Sequence, residues 1–153
     1  MSTNGETTLQ LLDREELGAW RGMLRVHAEL TRALDAELTE AHGLPLSSYE
    51  VLLFLSDAPD GRMRMSELAD SVLLSRSGLT RLVDRLERAG LLERVQCNED
   101  ARGYFAQITP AGREAFAAAR RTHLDGVRRL FLSRFSREEL RELGGLWERL
   151  LVG

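Results

Sequence analysis

Apolar residues recur at helical spacing along most of the chain. Trp20, Leu24, Leu30, Leu34 and Leu38 share one face with His27 among them. Asp13, with Glu16 three residues on, makes a capping-box start, and Gly43 a stop. The pattern predicts a helix of roughly 28 residues, about 42 Å long. That is more than a small domain can cover, so part of its apolar face needs a partner surface. Leu44 to Leu46 form a connector. Ser47 and Glu50 read as a second capping box, opening a helix that is apolar nearly all round through Ser56.

Asp57 to Gly61 is a turn. Arg62 to Met65 reads as a short extended piece able to pair with a later hairpin. Ser66 reads as the cap of a short helix over Glu67 to Val72. Ser75 then caps a second helix, in which Leu79, Leu82, Val83 and Leu86 form a buried stripe before Gly90 stops it. Helix, short turn and second helix is the helix-turn-helix pattern. Leu91–Val95 and Gly103–Ile108 flank a polar turn and predict a hairpin. A helix-turn-helix followed by a hairpin is a winged helix.

Thr109-Pro110 caps another long helix, slim because Ala115, Ala118 and Ala119 lie on it. Ser136 with Glu139 opens the last helix, with Leu140, Leu143, Leu146, Trp147, Leu150 and Leu151 on its apolar side. The expected fold is therefore mainly α with a small β-wing: a winged helix-turn-helix plus a helical dimerisation region. Residues 1–12 are a polar, flexible N-terminus, and 13–43 are the N-terminal helix. Residues 44–108 are the winged helix-turn-helix, and 109–153 the C-terminal helices. Two copies interleaving their terminal helices would bury the spare apolar faces as a two-fold dimer.

The outer edge of the second helix carries Arg76, Ser77, Thr80 and Arg81, then Asp84, Arg85 and Arg88. Short hydroxyls allow close approach to a DNA groove, and arginine forks grip guanine or phosphate. A solvated face with ion pairs such as Asp84 to Arg88 explains the same charges equally well. The charge distribution favours the first reading. Residues 1–61 hold 4 arginines against 11 acids, whereas residues 62–113 hold 9 against 7. The overall charge of −3 thus hides a basic half and an acidic half.

The residues SRSGLTRLVDRLERAGLLER, then NEDARG, then ITPAGRE resemble the MarR family of bacterial transcription regulators. Asp100-Ala101-Arg102 in the wing, followed by Ile108 to Gly112, carries the resemblance most specifically, and it spans roughly Trp20 to Leu151. It implies a homodimer binding a pseudo-palindromic operator in double-stranded DNA. Ser75, Arg76, Ser77, Thr80 and Arg81 belong to the base-reading helix. Arg85 and the Ser66 helix start grip phosphates, and Arg102 enters the minor groove. Asp100 holds the wing's shape. Many family members take aromatic or phenolic acids in a crevice between the dimer helices and the winged helix. Trp20, Arg21, Leu24, His27 and Tyr49 are the residues expected near such a small-molecule effector site.

The remaining chemistry is sparse. The three histidines have no metal-ligand spacing, and neither a phosphate loop nor a nucleophile–base pair occurs, so no enzyme and no cofactor is expected. The one cysteine, Cys97, fits a reducing cytoplasm and reads as incidental. No apolar run approaches a membrane span. The sequence reading is a cytoplasmic, ligand-released repressor. A winged-helix protein-interaction module without DNA binding stays open beside it.

Overall fold

The computed structural model describes residues 9–72, 76–97 and 103–151. Ser75, Asp100 and Arg102 lie outside the described residues, as does the side chain of Arg76. Six helices and a three-stranded sheet are found among the described residues.

α1 spans Arg14–His42, 29 residues or about 43 Å. Asp13 accepts from the Glu16 N–H, and the Glu16 carboxylate accepts from the Asp13 N–H, both at 2.9 Å. α2 is Leu46–Asp57 and begins one residue before the expected cap at Ser47. Its Leu46 N–H donates to the Asp35 carboxylate of α1 at 2.8 Å. An acid from the preceding helix thus does the work assigned to a local serine, and Ser47 lies inside the first turn. A short 3-10 turn, Pro59–Gly61, leads to β1, Arg62–Arg64.

α3 is Met65–Val72. It follows β1 without a break, so Ser66 is its second residue rather than its cap. α4 is Arg76–Arg88, and the wing strands are β2, Leu92–Gln96, and β3, Tyr104–Ile108. The sheet order is β1-β3-β2, antiparallel throughout, with Arg64 opposite Phe105 and Arg94 opposite Ala106. The expected pairing of the 62–65 segment with the wing is therefore present. α5, Pro110–Leu130, starts on Thr109, whose hydroxyl accepts from the Gly112 N–H. α6, Arg137–Leu151, starts on the expected Ser136–Glu139 box.

The core sits where α2, α3, α4 and the sheet meet. Val51, Leu52, Leu55, Leu68, Leu79, Val83 and Leu92 are each no more than 1% exposed. Leu38 of α1 and Phe116 and Ala119 of α5 close it from the other side. α1 and α5 approach closely at Gly126, where a Cβ would come within 2.6 Å of Glu37 Oε2 and 2.8 Å of Leu34 Cδ2. The periphery is different. Trp20, Leu24 and Val26 on α1 stand about half exposed. So do Leu146 and Trp147 on α6, while Leu150 and Leu151 are more open still. No described residue of α6 is buried.

Candidate nucleic-acid interface

α4 is split sharply between two faces. Leu79, Leu82, Val83 and Leu86 are at most 4% exposed and fix the helix against the core. Ser77, Thr80, Arg81, Arg85 and Arg88 are exposed on the other side. Gly78, Arg81, Asp84, Arg85 and Arg88 line a shallow groove along that outer face. Arg81 Nε donates to the Ser77 carbonyl at 3.4 Å, and Arg88 Nε to the Asp84 carbonyl at 3.3 Å. Each guanidinium is thus tied through Nε to a carbonyl of its own helix. Ser66 is exposed in the first turn of α3.

The Asp84–Arg88 ion pair of the solvated-face alternative is not found among the described residues, and Asp84 takes part in a longer-range one. Asp84 accepts from Arg94 Nη2 at 2.5 Å, and Glu87 accepts from Arg94 Nη1 at 2.8 Å and from the Arg94 backbone N–H at 2.9 Å. Arg94 lies on β2, on the sheet face that packs toward α4. One guanidinium therefore ties the wing to the last two turns of the helix. Sequence reasoning missed this role, since no local spacing links Asp84 to a residue ten positions on. We expect Arg94→Ala to weaken DNA binding about tenfold, by freeing the wing and leaving two carboxylates unpaired beside the basic face. DNA titration beside a thermal melt would check this. Undiminished binding would show that the clamp does not set the wing.

A second tie sits just past the C-terminus of α4. Gly90 takes φ of 76°, and the Thr109 hydroxyl donates to its carbonyl at 2.6 Å. The Thr109 N–H donates to the Leu91 carbonyl at 3.1 Å. The C-terminus of α4 is thus fastened to the N-terminus of α5.

The residues expected near an effector are not gathered within one chain. Trp20, Arg21, Leu24 and His27 are exposed on the N-terminal half of α1. Tyr49 is 3% exposed at the start of α2, its ring 5.3 Å from Phe116 and 4.6 Å from His123. Burial pushes the His123 imidazole below its ordinary pKa against the opposing charge of Glu37, and pushes the Tyr49 hydroxyl up. Cys97 is buried. Among the described residues no cluster could hold a metal, and no helix is long and apolar enough to cross a membrane.

A sequence model of the MarR family matches residues 42–103, from the end of α1 through the wing turn. The chain is 35% identical to AbsC, a MarR family transcriptional regulator from Streptomyces coelicolor. That likeness covers 94% of this chain and 96% of AbsC, with a TM-score of 0.87. This chain belongs to the MarR family. Sco3205, a MarR family transcriptional regulator of Streptomyces coelicolor solved in complex with DNA, is 33% identical. It superimposes with a TM-score of 0.89, over 94% of this chain and 90% of Sco3205. PecS of Dickeya dadantii, an HTH-type transcriptional regulator, is 32% identical over 146 residues, covering 92% of this chain and 86% of PecS. The MarR fold, mainly α with a three-stranded sheet, is the architecture the hydrophobic pattern predicts, and these relatives are transcriptional regulators rather than enzymes.

Proposed function

We propose that this MarR-family chain is a homodimeric repressor that binds an inverted-repeat operator in double-stranded DNA and leaves it when a small aromatic or phenolic ligand binds. The observation that carries the reading is the outer face of α4. Two exposed hydroxyl side chains and three exposed arginines stand on a helix whose opposite edge is locked into the core. Such a face suits a major groove: Ser77, Thr80 and Arg81, with Arg76 at the helix start, read base edges. Arg85 and Ser66 contact phosphates, and Arg102 reaches the minor groove from the wing with Asp100 shaping it.

Dimerisation is supported by the apolar surface left open on the single chain. Trp20, Leu24, Leu146, Trp147, Leu150 and Leu151 are all at least 40% exposed. Val26, Leu30, Ala33, Leu130, Phe131 and Phe135, with Glu29 and Arg134 among them, line a mainly apolar groove of ≈ 390 Å³ between α1 and the end of α5. A second copy covering these faces places two α4 helices about one DNA turn, roughly 34–36 Å, apart. The effector would then lie where α1 meets the partner, with Trp20, Arg21, Leu24 and His27 available to it and Tyr49 behind them in the core. A ligand there acts by favouring a helix spacing that misfits DNA, and its effect is limited to its differential affinity for the two spacings. The protein would work in the cytoplasm, beside the promoter it occludes.

The test is selection from a random double-stranded DNA pool, with the full chain beside Arg102→Ala. We expect an inverted repeat to be enriched and the variant to retain it less well. An absence of enrichment at low salt would overturn the reading and put a protein-interaction module in its place.

A further inference from the structure

The outer face of the sheet, turned away from α4, carries a pair of arginines that the α4 interface does not use. Arg62 and Arg64 are alternate residues of the edge strand β1, so they share a face. Phe105 on β3 stands opposite Arg64 on that same face. The Arg62 guanidinium carbon is 4.8 Å from the Phe105 ring centroid, and that of Arg64 is 5.7 Å from it. One ring therefore lies within cation–π reach of both guanidinium groups.

Neither arginine forms an ion pair with a described residue. That sets them apart from Arg94 on the opposite face, which engages two carboxylates. Two like charges gathered on one ring repel each other, and among the described residues no carboxylate is ion-paired with either of them. Stacking also restricts the side chains while leaving the donor edges of the guanidinium forks free, which lowers the ordering cost of capturing an anion. The position is equally telling. Arg64 is followed directly by Met65, the first residue of α3. The unpaired N–H groups and positive end of that helix start where β1 ends. Phe105 stands on the strand that returns from the wing turn. The arginine pair thus lies between the strand that returns from the wing turn and the start of α3.

We propose that Arg62 and Arg64, stacked on Phe105, form a phosphodiester clamp that grips the DNA backbone beyond the base pairs read by α4. The clamp rests on the DNA-binding reading and enlarges the footprint of each half-site. It adds affinity and salt dependence without adding base preference.

The experiment measures operator affinity of the full chain across salt, from about 50 to 200 mM, for the unaltered protein, Arg62→Gln with Arg64→Gln, and Phe105→Leu. A circular dichroism melt of each confirms folding. Loss of two phosphate contacts should lower the slope of log affinity against log salt by about 2. The selected base sequence should not change. Phe105→Leu keeps both charges and should keep the slope, with affinity down by about threefold as the stack is lost. An unchanged slope in the double variant would overturn the clamp while leaving the DNA-binding reading intact. If the unaltered protein shows no salt-dependent DNA binding, the reading itself fails and the clamp with it.

Discussion

Exchanging Arg81 and Arg85 together for glutamate should abolish operator binding while leaving the chain folded. Both side chains are exposed on the outer face of α4, within the groove that runs along it. Neither takes part in an ion pair with a described residue, so neither holds the fold together. The cost to stability comes chiefly from Arg85, which lies near the C-terminus of α4, where a positive charge suits the helix dipole. That is about 0.3–1 kcal/mol. The cost to binding is larger. A base contact is worth about 1–3 kcal/mol, and each reversed charge also repels the phosphates it had attracted. The two effects therefore separate by a factor of about a hundred or more in affinity. Titrating operator DNA into the variant, beside its thermal melt, checks both. Native affinity in a folded variant would show that DNA does not meet this face, and the interaction-module reading would then lead.

What the sequence made legible and what it hid divide by distance along the chain. The boxes at Asp13 and Ser136 and the Thr109-Pro110 start appear as expected, because each joins residues three apart on one turn. The box at Ser47 does not appear, because Asp35 reaches across from α1 to the first N–H of α2. The apolar stripe of α4 is buried as its spacing predicts, yet Asp84 and Glu87 engage Arg94 of the wing rather than a side chain of their own helix. A periodic face also cannot say which half of a long helix is packed. Trp20 and Leu38 lie on one stripe of α1, but Leu38 is fully buried and Trp20 is 54% exposed. For that reason Tyr49, beside the packed half, is set apart from the four α1 residues grouped with it by sequence. The paired arginines on Phe105 were equally hidden, since strand register alone brings Phe105 opposite Arg64.

Gly112→Ala should be the most damaging single small substitution in the DNA-binding half of the molecule. Gly112 is in the first turn of α5, where a Cβ would stand 2.0 Å from the Leu91 carbonyl oxygen and 2.8 Å from Ile108 Cγ1. The oxygen belongs to the backbone and is already engaged by the Thr109 N–H, while the Thr109 hydroxyl holds the neighbouring Gly90 carbonyl. Relief therefore demands that the whole junction between α4 and α5 open, with loss of at least one of these bonds. Overpacking costs about 1–3 kcal/mol, and a buried hydrogen bond lost with it adds about 1 kcal/mol. A total of about 3 kcal/mol is a large fraction of the stability of a small domain. Thr109→Val, which removes the hydroxyl while keeping the shape, should cost less, about 1 kcal/mol. Urea unfolding of the two variants gives the comparison. A Gly112→Ala protein as stable as the unaltered chain would mean that α5 does not abut the end of α4 as closely as described. The ordering has a functional corollary. The same junction sets the angle at which α5, a helix that continues toward the apolar groove, carries α4. A variant that opens the junction without unfolding the chain should therefore lose operator affinity although every side chain on the α4 face is intact.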